Sequence, residues 1–138
     1  MLNCGGMEEA QRALSEILEH LQDSSKKLRS EQVNGFIDAL LGAKRVFVVG
    51  VGRSGLVVRA FAMRLMHLGI DVHVIGETIT PALRDDDLLV ALSGSGETSF
   101  VVSSAKIAKR IGTKIAVITS YPRSTLAKLA DCIITLPG

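Results

Sequence analysis

The sequence of 138 residues has no tryptophan, one tyrosine and four phenylalanines. With 47% apolar residues it is no disordered chain, but its core has to be built from Val, Ile, Leu, Ala and Met. Cysteine is scarce. Cys4 and Cys132 lie far apart, which excludes both a disulfide framework and a zinc spacing. Cys132 falls in a strand-like run and reads as a small, inert, buried apolar residue. Neither charge sign dominates: 16 Lys and Arg less 14 Asp and Glu leave +2. That gives no case for nucleic-acid binding or an acidic tail. No window approaches the roughly 18 consecutive apolar residues of a membrane span. Met1–Gly6 carry neither a basic run nor an apolar leader, and repeats and linkers are missing. What remains is one soluble, reduced, cytoplasmic domain, long enough to bury roughly 68–70% of its unfolded surface. Met1 and Met7 are both possible starts.

The first 44 residues read as a helical arm and residues 45–138 as an α/β core, together one domain. Ala10, Leu14, Ile17, Leu18 and Leu21 recur at helical steps, predicting a helix over about Met7–Leu28 with one apolar stripe. A second helix carries Val33, Phe36, Ile37, Leu40 and Leu41, with Ser30 as N-cap and Gly42 as its stop. Five short apolar runs follow: Arg45–Val49, Val72–Ile75, Leu88–Leu92, Ile115–Ile118 and Cys132–Leu136. Continuous β-branched runs of this length suit strands buried on both faces. Helix-period segments separate them at about Ser54–Leu68, Thr98–Ile111 and Ser124–Leu129, with Gly69 and Gly112 placed as C-cap glycines. The alternation predicts a doubly wound, flavodoxin-like α/β domain with a parallel five-stranded sheet. The last strand needs a cover: the first two helices, a partner subunit, or residues past Gly138.

Ligands of such sheets bind outside the carboxyl ends of the strands. Two glycine-rich loops fall there. Gly50-Val51-Gly52-Arg53-Ser54-Gly55 opens a helix and matches G-x-G-x-x-G. With Glu77 near the place of a ribose partner, a nicotinamide nucleotide is a rival ligand. Arg53 and Ser54, however, suit a compact phosphate or sugar better than a pyrophosphate lying on bare backbone. Ser93-Gly94-Ser95-Gly96-Glu97-Thr98 is the second loop. Its glycines free the backbone to curl, so that Ser93, Ser95 and Thr98 can offer hydroxyls while a helix N-terminus offers N–H groups. A sugar phosphate straddling two strand ends uses both loops; a dinucleotide needs only the first.

At these residues the chain resembles the sugar isomerase (SIS) domain family, and within it the 6-phospho-3-hexuloisomerases. The stretch Gly50–Leu68 (GVGRSGLVVRAFAMRLMHL), the element Gly76-Glu77-Thr78-Ile79-Thr80-Pro81 and the loop SGSGET carry the likeness, over about Met7–Pro137. The resemblance implies conversion of D-arabino-3-hexulose 6-phosphate to fructose 6-phosphate through an enediol, in the ribulose monophosphate pathway. It also implies no cofactor, no metal and a homotetramer. Related alternatives are an arabinose 5-phosphate type of isomerase and a non-catalytic sugar-phosphate sensor. Substrate-binding candidates are Gly52, Arg53, Ser54, Thr80, Ser93, Gly94, Ser95, Gly96, Glu97 and Thr98.

The family's proton-accepting Glu and a contributing His are expected past the last strand, beyond residue 138. Glu77, after a strand end, is the weaker candidate within the chain. Glu97 would oppose a bound phosphate unless it points away, and reads as a first-turn acid favouring the helix dipole. Arg53 either steadies a developing oxyanion or ties the loop. His67 is expected to pack or to complement a helix C-terminus, His73 to lie within a strand, and His20 on a solvated helix face.

Overall fold

The computed structural model describes residues 4–138; Met1, and with it the choice of start, lies outside them. Five parallel strands form one sheet: β1 (Val46–Val49), β2 (Val72–Val74), β3 (Leu88–Leu92), β4 (Lys114–Thr119) and β5 (Cys132–Thr135). Their order is β2-β1-β3-β4-β5. Four helices accompany them: α1 (Cys4–Lys27), α2 (Ser30–Gly42), α3 (Arg53–His67) and α4 (Ser99–Ile111). No helix among the described residues is long and apolar enough to cross a membrane.

The doubly wound topology predicted from the alternating runs is present. Alternate side chains of the central strands feed two cores. Phe47, Val49, Leu89, Ala91, Ile115 and Val117 meet Val101, Val102, Ala105 and Ala108 of α4. On the other face Val46, Val48, Leu88, Val90 and Ala116 meet Phe36 of α2 and Val58, Ala62 and Leu65 of α3. The last strand finds its cover in α2: Cys132 and Ile134 pack into the core that holds Phe36, and Thr135 N–H donates to Gln32 Oε1 at 3.0 Å.

Several local expectations are corrected. Ser30 is the first helical residue, not the cap; Arg29 precedes it in extended conformation and its carbonyl accepts the first turn's N–H from Val33. Gly42 ends α2 inside the helix, and the extended Ala43 makes the exit. The expected helix over Ser124–Leu129 shrinks to a 3₁₀ turn at Ala127–Leu129. At its start Thr125 N–H and Leu126 N–H bind Glu97 Oε1 and Gly96 O, and it is cut short because Ala130 is already extended and Asp131 N–H binds Ile115 O at the entry to β5. Cys132 is half-buried rather than buried, because β5 is an edge strand; burial first, then Asp131, pushes its thiol pKa up. Gly69 and Gly112 take positive φ just past α3 and α4, as expected.

The amino end of the sheet is closed by an ion pair. Arg45, just before β1, gives Nε to Asp87 Oδ1 at 3.0 Å and Nη2 to Oδ2 at 2.7 Å. Asp87, just before β3, has a fully buried side chain. Burial by itself raises its carboxyl pKa. The hydrogen bonds from Arg45 and from Arg84 N–H outweigh that and hold it below the ordinary value. A folded-state pKa below the unfolded one means stability present above the unfolded pKa and lost as pH falls through the folded one. We therefore expect the urea midpoint to drop as pH falls below about 4. Asp87→Asn should have a lower midpoint at neutral pH and a flatter acid slope; parallel slopes in the two proteins would exclude Asp87 as a source of that acid sensitivity.

Candidate functional site

Because β1 lies beside β3, the loops that leave them are neighbours at the carboxyl edge. α3 then runs back on one face and α4 on the other, which opens the crevice expected at a topological switch point. Both helices start without a capping side chain. The first N–H groups of a helix have no intrahelical partner, and here no N-cap side chain takes them, so they are disposed to meet an anion.

The first loop is drawn tightly onto α3. A Cβ on Gly50 would come within 2.9 Å of the Ser54 carbonyl group, and one on Gly55 within 2.9 Å of Gly50 O. Glycine at both ends allows this approach. Arg53 is exposed and Ser54 half-buried at the start of α3, with Gly52 preceding them. A cleft of about 330 Å³ opens here, lined by Gly52, Leu56, Arg59, Gly76 and Phe100 among others. Glu77 stands beyond β2, with its Oε1 3.1 Å from Arg59 Nη2. Thr80 is turned away: its hydroxyl donates to Val74 O and closes its own loop.

The second loop is organised from within. Ser93 is 2% exposed. Its Oγ accepts Gly96 N–H at 3.0 Å and lies 2.8 Å from Thr98 Oγ1, so this hydroxyl shapes the loop. Ser95 is exposed; its Oγ accepts Glu97 N–H at 3.1 Å and keeps its own proton to donate. Gly94 is exposed, and its carbonyl is held by Ser120 N–H and the Thr119 hydroxyl. Glu97 points away from the loop's N–H groups: its Oε1 accepts Thr125 N–H at 2.8 Å. That backbone hydrogen bond is the main reason its carboxyl pKa is lowered.

These ties bring in a segment that the sequence reading missed. Residues 121–124, after β4, face the second loop across a cleft of about 530 Å³ lined by Ser95, Glu97, Tyr121, Pro122, Arg123 and Ser124. The available signal was position alone, since this stretch also follows a strand end; it lacks the glycines that marked the other two loops. The histidines lie elsewhere. His67 ends α3, about 20 Å from its start at helical rise. His73 stacks on Phe47 and lies 2.8 Å from Asp71 Oδ1, and His20 is on an exposed part of α1. No group of three or more His, Cys, Asp or Glu is gathered for a metal among the described residues.

Residues 39–138 match the family model of the SIS domain. The chain is 49% identical over 125 residues to the 3-hexulose-6-phosphate isomerase of Mycobacterium gastri, covering 91% of this chain and 63% of that protein. It is 41% identical over 125 residues to the enzyme of the same name from Bacillus subtilis, covering 91% and 68%. Among solved structures it resembles a Methanococcus jannaschii protein whose structure infers a molecular function of 3-hexulose-6-phosphate isomerase. There the TM-score is 0.78 at 38% identity, covering 92% of this chain and 72% of that one. The chain thus spans about two thirds of the length of these relatives.

Gly96 tests the architecture of the second loop. Its φ is +70°, and a Cβ there would run into the Ser124 side chain. Gly96→Ala should destabilise the fold by more than about 1 kcal/mol. Gly94→Ala, where a Cβ meets nothing within 4 Å, should be far milder. Equal unfolding midpoints for the two variants would contradict the close approach.

Proposed function

The chain belongs to the SIS domain family, and from that membership we propose that it isomerises D-arabino-3-hexulose 6-phosphate and fructose 6-phosphate. The observation that carries this reading is the 41–49% identity to proteins named 3-hexulose-6-phosphate isomerase. The geometry supports it, since two uncapped helix N-termini and a set of hydroxyls meet at adjacent strand ends. The reaction moves hydrogen within one molecule. A base takes the proton from the hydroxyl-bearing C2 while the C3 ketone oxygen takes the charge as an enediolate; the proton of the C2 hydroxyl passes to the C3 oxygen, and protonation at C3 then leaves the ketone at C2 and a hydroxyl at C3. The protein's tasks are to hold the phosphate, place a base at the C–H and stabilise the oxyanion.

We assign the phosphate to the second loop, where the exposed Ser95 hydroxyl and the N–H groups opening α4 are the donors, with Ser93 and Thr98 shaping the loop around it. Gly52, Arg53 and Ser54 are assigned to the sugar end. In the resembling family the proton acceptor falls past residue 138; within these residues Glu77 is the alternative. The reading places the protein in the ribulose monophosphate pathway and in the cytoplasm.

Self-association is part of this reading. Leu14, Ile17, Leu18 and Leu21 of α1 are 59, 56, 59 and 62% exposed, a continuous apolar stripe. Burying it against further copies, in a tetramer, would remove that surface from water. Light scattering should return a mass well above 14.7 kDa. Leu18→Asp should lower it; a wild-type monomer at micromolar concentration would overturn the assignment.

The main test is a coupled assay. Formaldehyde, ribulose 5-phosphate and a hexulose-phosphate synthase supply the substrate, and fructose 6-phosphate is read out. Turnover lost in Glu77→Gln would put the base within these residues. Tight fructose 6-phosphate binding without turnover would put it elsewhere. A folded protein that binds no fructose 6-phosphate would refute the reading. Ser93→Ala combined with Ser95→Ala should weaken that binding by about 1–3 kcal/mol. Unchanged affinity would remove the second loop from the site.

A further inference from the structure

The far wall of the larger cleft is residues 121–124. Arg123 is the one basic residue on its lining, and its side chain is engaged in no ion pair among the described residues. Pro122 stiffens the stretch by fixing its own φ. Three contacts hold the wall to the second loop: Glu97 Oε1 accepts Thr125 N–H, Gly96 O accepts Leu126 N–H at 3.0 Å, and Ser124 packs under Gly96. The second is a backbone bond that any sequence could make, and the Ser124 contact asks only for a glycine at position 96. The first depends on one side chain, Glu97.

Hydroxyl and amide donors orient a phosphate but bring no net charge. A guanidinium brings both a charge and a forked pair of donors matched to phosphate oxygens. We propose that Arg123 is the specificity-determining cation of the sugar-phosphate site, and that Glu97 is the positioning residue that holds its segment against the second loop. This rests on the sugar-phosphate reading above and deepens it. It also gives a reason for a carboxylate beside a phosphate loop. Bound to Thr125 N–H, Glu97 aims its charge at the wall rather than at the ligand.

Calorimetric titration with fructose 6-phosphate, and with unphosphorylated fructose as the control, tests this on the full chain. Variants are first checked for native circular dichroism. Arg123→Met should raise the Kd for fructose 6-phosphate about tenfold or more, with any response to fructose unchanged. Arg123→Lys, which keeps the charge and loses the fork, should fall between. Removing a carboxylate near a phosphate would on charge alone tighten binding. Weaker binding in Glu97→Ala therefore reports position. Glu97→Gln, which can still accept Thr125 N–H, should stay close to wild type. In the double variant Glu97→Ala/Arg123→Met the two losses should not multiply, because Glu97 acts through Arg123. Wild-type affinity in Arg123→Met, or losses that multiply in the double variant, would overturn the proposal while leaving the sugar-phosphate reading intact. A wild-type protein that does not bind fructose 6-phosphate would bring down both.

Discussion

The pairing of β1 with β3 is the contact on which the rest of the molecule depends. It is clipped at its amino end by Arg45 and Asp87, which stand immediately before the two strands. Lys44 N–H to Asp86 O and Leu88 N–H to Arg45 O add backbone bonds at the same place. With the register fixed there, Val46 meets Leu88 and Val49 meets Ala91, so the two strands end side by side. Right-handed crossovers then have to carry α3 and α4 to opposite faces. The crevice between their N-termini follows from that divergence. No loop has to be especially shaped to create it.

The core was legible in the sequence because burial on both faces leaves a strong trace. Runs such as Val46–Val49 and Leu88–Leu92 have no polar position to confuse a strand with a surface helix, and β3 falls where its run predicted. The caps were less legible. Ser30 has the right side chain for an N-cap, yet the helix begins one residue earlier because the Arg29 carbonyl takes the first-turn bond. The segment after β4 failed for a different reason. Its propensity is helical over Ser124–Leu129 and it closes one turn, with Lys128 N–H on Ser124 O, but Ala130 is extended and Asp131 N–H is taken by Ile115 O on the way into β5, a partner 16 residues away that a local pattern does not contain. Tertiary hydrogen bonds override local preference where the donors would otherwise be unpaired.

The candidate site was legible as loops and illegible as roles. Hydroxyls, glycines and helix starts marked the residues 50–55 and 93–98 correctly as strand-end loops. Nothing in the composition separates Ser93 from Ser95, yet one lies inside the turn and the other faces solvent. The difference is geometric. Gly96 at positive φ folds its own N–H back onto Ser93, and the curl buries the first hydroxyl while exposing the second. Thr80 shows the same ambiguity, since its hydroxyl serves Val74 O in its own loop.

Two carboxylates with lowered pKa mark the two ends of the sheet, and they are lowered in different ways. Asp87 is buried and would be raised by burial if Arg45 and Arg84 N–H did not outweigh it. Its charge is bound up with the fold, and neutralising it leaves Arg45 half-served at the strand pair that organises everything else. Glu97 is exposed, and a hydrogen bond from one backbone N–H is the main cause of its shift. Truncating Glu97 would leave both cores intact and loosen only the wall that carries Arg123. The amino end therefore holds the interaction that cannot be varied without cost to the whole sheet. The carboxyl end holds interactions that adjust one loop against another, which is where a binding site can change its ligand while the sheet stays the same.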